Sequence, residues 1–333
     1  MSHFDVFNGD ADGLCALHQL RLAAPRESTL VTGVKRDVEL LGRVAGQPGD
    51  SVTVLDISLD RNRASLLRLL SRGVGIEYFD HHFPGAIPQH PALRAHIDTA
   101  PDVCTSVLVD RHLQGLHRPW AVVAAFGDNL GGTARSLALA CGLRAGAIAR
   151  LRELGEAINY NAYGATEADL LMPPLALYRA LHRWADPFDF IDGDPAVALL
   201  TQARGKDLAL ARQQAPAFEL PAGRIYVLPD AAWSHRVHGV FANELATAFP
   251  QRAHAVLCGW RGAHYLASVR APVSQPQGAD RLCRFFPGGG GRAGAAGIDD
   301  LPAGRLAEFV AAFGQAFSAR SSGGIDHGSD SGS

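Results

Sequence analysis

The stretch Gly75-Ile76-Glu77-Tyr78-Phe79-Asp80-His81-His82-Phe83-Pro84-Gly85 decides the fold. Residues 75–79 read as a β-strand that runs into an acid and two adjacent histidines, and a Pro-Gly turn follows at once. Neighbouring side chains on a strand point to opposite faces, so His81 and His82 are expected to do different jobs. Ligands bind at the C-terminal ends of strands in an α/β sheet, and there both rings can reach one crevice as the strand gives way to loop.

Outward from this stretch, residues 5–7, 29–34 and 51–56 carry further β-like apolar runs, while 14–22 and 63–72 carry apolar residues at helical spacing. Strand and helix alternate over the first eighty or so residues, which predicts βαβ units and a mainly parallel sheet. Helical patterns dominate 105–113, 121–126 and 137–160, with Asp102-Val103-Cys104-Thr105-Ser106 offering N-cap chemistry. Pro173-Pro174 interrupts the pattern, residues 175–184 resume it, Asp192-Gly193-Asp194-Pro195 reads as a turn, and 196–214 as a helix.

Pro216 and Pro221 mark 215–223 as a linker between domains. Beyond it, 224–228 reads as a strand, 240–249 as a helix, 254–260 and 264–269 as a hairpin, 278–285 as a short helix and 303–318 as a closing helix. The expected fold class is therefore α/β. A mainly parallel sheet domain with helices on both faces spans 1–214, and a smaller α/β domain spans 224–320. Residues 321–333 are poor in apolar side chains and read as a disordered tail.

At 333 residues the chain exceeds a comfortable single core, in keeping with two domains. The net charge of −2 provides no basic field for long nucleic acid and favours a small phosphorylated substrate or a short oligonucleotide. Five scattered cysteines without a CxxC pair indicate neither a disulfide framework nor a thiolate zinc site. No run is long enough for a membrane span, and residues 1–5 lack signal-peptide features, so a cytoplasmic location is expected. The oligomeric state is left open, with a homodimer as one outcome.

Chemistry concentrates at expected strand ends. Asn8-Gly9-Asp10-Ala11-Asp12-Gly13 alternates oxygen-bearing side chains with small residues between a strand and a helix. Read alone, it is a surface turn; next to a helix N-terminus, its carboxylates can share divalent cations. Asp56 ends the run 52–55, and Asp128 follows the apolar run 121–125. Each alone is a plausible helix cap. Their recurrence at the ends of successive elements, together with Asp80-His81-His82, points instead to a ligand set of oxygens and imidazole without thiolate. Such a set suits manganese or another borderline divalent ion. A pair of ions would serve phosphoester hydrolysis by in-line displacement. A second candidate is the run from Gly288 to Gly297. Its bland reading is a flexible loop; its functional reading is a backbone anion nest, with Gly289, Gly290 and Gly291 approaching phosphate, Arg292 forking onto it and Arg270 adding charge.

In this order the motifs resemble those of the DHH phosphoesterase superfamily, in members that join a DHH domain to a C-terminal DHH-associated domain. The resemblance runs from Phe4 to Phe317. Asn8–Gly13 looks like the first motif, Asp56 the second, Asp80-His81-His82 the third, Asp128 the fourth, and Gly289–Gly297 the glycine-rich motif. It implies a hydrolase that uses two Mn²⁺ or Mg²⁺ ions on a substrate between the domains. By that resemblance Asn8 and Asp10 would serve the first ion and Asp12 the second. Asp56 would bridge them, with His81 and Asp128 completing the second site. His82 would face the phosphate, and Asp80 would support the histidines. Two positions depart from the pattern: Asn8 stands where an acid or histidine is usual, and Arg292 where the glycine motif usually ends in histidine. The expected activity is hydrolysis of a phosphodiester in a short oligonucleotide or nucleotide-derived substrate. The alternatives are a polyphosphate or pyrophosphate hydrolase, or a metal- and nucleotide-binding module of low turnover.

Overall fold

A computed structural model describes residues 1–164 and 166–318; the expected tail at 321–333 lies outside the described residues. The chain divides into two compact units. One comprises Met1–Leu208 with His235–Val237; the other comprises Ala209–Ser234 and the residues from His238 onward.

The first unit is built on five parallel strands in the order β2-β1-β3-β4-β5: β1 (His3–Phe7), β2 (Thr29–Val31), β3 (Ser51–Leu55), β4 (Gly75–Asp80) and β5 (Leu93–Ile97). Alternation along the strands sorts their side chains onto two faces. Phe7, Leu55 and Phe79 pack with helices α1 (Ala11–Ala23), α3 (Thr105–His112) and α4 (Arg118–Gly127). Their neighbours Val6, Val54 and Tyr78 pack against α2 (Leu59–Ser71). Both faces are covered, as a parallel sheet requires. The remaining helices of this unit are α5 (Gly131–Ala140), α6 (Ala145–Asn161), α7 (Pro174–Leu181), α8 (Pro187–Gly193) and α9 (Pro195–Arg212).

The register matters most for function. Phe7 pairs with Leu55 and Leu55 with Phe79, so three strands end in one row. Asn8, Asp56 and Asp80 consequently lie side by side along the C-terminal edge. Helix α4 reaches that edge by close contact: a Cβ at Gly155 of α6 would lie 2.1 Å from the carbonyl oxygen of Val123, and one at Gly127 would lie 2.4 Å from Ala11 Cβ. Only glycine permits those approaches, and they bring Asp128, just past the end of α4, to the edge.

The second unit is a six-stranded mixed sheet in the order β10-β11-β9-β8-β7-β6. Its elements are β6 (Phe218–Leu220), β7 (Gly223–Leu228), α10 (Ala232–Ala248), β8 (Ala253–Trp260), β9 (His264–Arg270), α11 (Ala279–Arg284), β10 (Gly289–Gly291), β11 (Ala295–Pro302) and α12 (Leu306–Phe317). Among the described residues no helix is long and apolar enough to cross a membrane.

Several elements differ from expectation. The helical run 137–160 is two helices, broken where Gly142 takes φ +72°. Strand β5, absent from the expected elements, alternates Leu93, Ala95 and Ile97 with Arg94 and His96 and pairs in parallel with β4. Helix α8 occupies residues preceding and overlapping the predicted 192–195 turn, and α10 starts at Ala232 rather than 240. Phe218–Leu220, within the expected linker, pairs as a sheet strand with β7. The glycine run is no flexible loop: β10 and β11 form a hairpin.

On the α1 face, buried Asp5 binds Arg21 through Nε at 2.8 Å and is also bonded by His3 and Ser28. Burial raises the Asp5 pKa, but Arg21 and these partners outweigh it and bring it from 3.8 to about 2. A depressed carboxyl contributes stability above its unfolded pKa and loses it as pH falls through the folded value. The stability gap between wild type and Asp5→Asn is therefore expected to narrow by about 2 kcal/mol between pH 4 and 2 in urea titrations. A gap that stays constant would remove Arg21–Asp5 from the acid response.

Candidate metal centre

Asp10 caps α1, its carboxylate accepting the backbone N–H groups of Asp12 and Gly13. Asn8 turns both polar ends toward backbone: Oδ1 accepts from Asp10 N at 3.2 Å, and Nδ2 donates to Lys35 O at 3.3 Å. Asp12 accepts from Thr105 N and Ser106 N, each at 2.7 Å, through its two oxygens. Helix α3 has no side-chain cap of its own from Asp102–Ser106, contrary to expectation; Asp12 supplies the anion at its positive end.

Asp56 adopts φ +59°, a conformation disfavoured for a side chain-bearing residue and costing on the order of 1 kcal/mol. Its Oδ1 accepts from the Thr105 hydroxyl at 3.2 Å and lies 3.5 Å from His81 Nε2. The other His81 nitrogen, Nδ1, is 3.0 Å from Val103 O, so Nδ1 is the donor and Nε2 faces the carboxylates. Asp128 Oδ2 is 3.9 Å from the same Nε2. Beyond the strand end, the His81 and His82 rings lie 4.4 Å apart. Nδ1 of His82 bonds to Asp80 Oδ1 at 2.7 Å, while that oxygen also accepts the backbone N–H of both histidines. Fully buried Asp80 thus braces the turn, and His82, its side chain 45% exposed, stands at the mouth. The two histidines reach one crevice but are held by different partners.

Two groups bring ligand atoms within 4.8 Å of one another: Asp56, His81 and His82, and Asp12, His81 and Asp128. Asp10, Asp12 and Asp56 are all buried. Buried carboxylates need compensation, and it is unequally shared. Burial raises the Asp10 pKa, but Lys35 and the Gly13 N–H outweigh it and bring it down to about 2. For Asp56, burial and the charges of Asp12, Asp10 and Asp128 push the pKa well up. Asp128 is raised chiefly by burial, with Lys35 only partly offsetting it. Burial lowers the His82 pKa, yet the Asp80 bond outweighs it and the net shift is upward. Oxygen and imidazole donors around an undercompensated carboxylate form a set that fits a divalent cation.

Lys35, unmarked in the sequence, is part of the cluster: Nζ is 2.5 Å from Asp10 Oδ2 and 3.6 Å from Asp128 Oδ1. No motif announces it, since it follows β2 in an ordinary loop. In the second unit, Arg270 Nε donates to Asn243 Oδ1 at 2.6 Å, and a second nitrogen lies 3.5 Å from Gly239 O, both on α10. Gly289 meets the α11 carbonyl of Cys283 so closely that a Cβ would lie 1.8 Å from it. Arg292 is exposed at the hairpin tip, where it exchanges backbone hydrogen bonds with Ala295.

Asp56→Asn is expected to raise the melting temperature of the metal-free protein by a few degrees while shrinking the additional stabilisation from Mn²⁺. Thermal melts with and without Mn²⁺ measure both. A variant that loses stability without metal and keeps the full Mn²⁺ effect would show that Asp56 is structural.

No protein-family model and no curated protein matches the chain. Solved structures do. An exonuclease RecJ bound to manganese aligns over 94% of this chain and 89% of its own at 19% identity and TM-score 0.59. A RecJ–Mn²⁺ complex from Thermus thermophilus aligns over 94% of this chain and 51% of its own, at 19% identity and TM-score 0.54. A pGpG-specific phosphodiesterase, PggH from Vibrio cholerae, aligns over 95% and 99% respectively, at 14% identity and TM-score 0.57. The chain therefore shares the fold of these RecJ and PggH structures.

Proposed function

We propose that this chain is a divalent-metal-dependent phosphoesterase that hydrolyses the phosphodiester of a short oligonucleotide or nucleotide-derived substrate. The observation that carries the reading is Asp56: buried, set in a strained backbone, pressed by three other carboxylates and faced by His81. Strain and uncompensated charge persist where a ligand makes use of them.

Asp12, Asp56, His81 and Asp128 would hold the cation. Bound there, a divalent ion supplies a water nucleophile at neutral pH and neutralises charge on the phosphoryl oxygens. The chain's own groups do the rest. Asp80 accepts from His82 Nδ1, which orients the ring and leaves Nε2 to donate to a phosphoryl or leaving oxygen at the mouth. The α3 N-terminus holds Asp12 in place through two short hydrogen bonds, and Val103 O fixes the His81 tautomer. A net charge of −2 and the near full-length alignment with a pGpG phosphodiesterase support a dinucleotide-sized substrate over long duplex DNA.

The test is the Mn²⁺-loaded protein against linear dinucleotides, longer oligonucleotides, cyclic dinucleotides, nucleoside bisphosphates and polyphosphate. Mononucleotide release from dinucleotides is expected, and Asp56→Ala is expected to lower it by at least about 10²-fold. Orthophosphate from polyphosphate with no nucleotide released, or full activity in Asp56→Ala, would overturn the reading.

A further inference from the structure

We propose that Lys35 is a resident cation of this centre: its ammonium holds the Asp10 side of the cluster, so that the protein takes up one divalent ion tightly. The family resemblance implies two. The inference rests on the metal-dependent reading above and concerns what this chain's own residues leave for a metal to bind.

Lys35 sits in a prepared seat. Nζ contacts Asp10 Oδ2 and Asp128 Oδ1, lies 3.4 Å from Asn159 Oδ1, and stands 5.5 Å from the centroid of the Tyr163 ring. Those partners offer it two carboxylates, an amide oxygen and a π-face. Its backbone is tied at both ends: Lys35 N donates to Ala162 O at 3.0 Å, and Lys35 O accepts from Asn8 Nδ2. The side chain is thus anchored beside the site by the residue that departs from the expected first motif. Asn8, neutral and engaged with backbone, offers the Asp10 side no negative charge.

The ligand groups agree. Neither of the two close groups of acidic and imidazole ligands contains Asp10, and both contain His81. Charge agrees as well. Asp10, Asp12, Asp56 and Asp128 face one ammonium. One divalent ion would bring the positive charge to three against four carboxylates, whereas two would bring it to five. A second divalent ion on Asp10 would also have to displace or repel the ammonium.

Equilibrium dialysis against Mn²⁺ with metal analysis counts the ions, and electron paramagnetic resonance tells an isolated Mn²⁺ from a spin-coupled pair. Wild type is expected to hold one ion with the hyperfine pattern of isolated Mn²⁺, and Lys35→Arg to do the same. Lys35→Met, its fold checked by circular dichroism, is expected to bind a second ion about tenfold or more tightly than wild type does, with a coupled spectrum. Wild type holding two ions of similar affinity, or folded Lys35→Met remaining at one, would overturn the proposal. If Lys35→Met fails to fold, the wild-type count and spectrum decide. These readouts do not depend on turnover. One bound ion without hydrolysis of any substrate in the panel would refute the phosphoesterase reading and keep the role of Lys35; two ions with hydrolysis would do the reverse. No bound ion would overturn both.

Discussion

The structure turns on how several carboxylates are kept together out of water. Asp10, Asp12 and Asp56 are buried within one cluster, and mutual repulsion in a medium of low polarity would scatter them if each were not restrained. Each is held differently. Asp10 is a helix cap and partner of Lys35, Asp12 is locked to the N-terminus of α3, and Asp56 is fixed by a left-handed backbone and one hydroxyl. Asp56 is the least compensated, and a cation has most to offer there.

The scaffold serves that restraint. In-register ends of β1, β3 and β4 set the spacing of Asn8, Asp56 and Asp80, and the glycine contacts of α4 bring Asp128 to the same edge. The packed layers above and below the sheet keep the strand ends from shifting. Displacing one strand by a single residue would exchange the Val6–Val54–Tyr78 row with the Phe7–Leu55–Phe79 row and undo both cores along with the site.

Much of the first unit was legible. The strands of Val, Leu and Phe with acids at their ends, and the helices between them, follow from period and position, because a parallel sheet buries both faces and exposes its strand ends to ligands. Asp10, Asp12, Asp56, His81 and Asp128 gather at one edge of the sheet. The second unit was less legible. Gly289–Gly291 carries no side chains to show an alternating pattern, so its strand character comes from pairing with β11 and from the space that Cys283 denies a Cβ. Arg270 donates to Asn243 and Gly239 of α10, partners that no local pattern in the sequence records.

By itself the sequence determined the alternation of strands and helices and set acids and two adjacent histidines at strand ends, because these depend on local period and side-chain chemistry. Tertiary structure alone decided which partner each charge would have. Asp12 meets Thr105 and Ser106, and Lys35 meets Asp10 and Asp128, across long separations in sequence. Electrostatic compensation acts through space, and no periodicity along the chain records it.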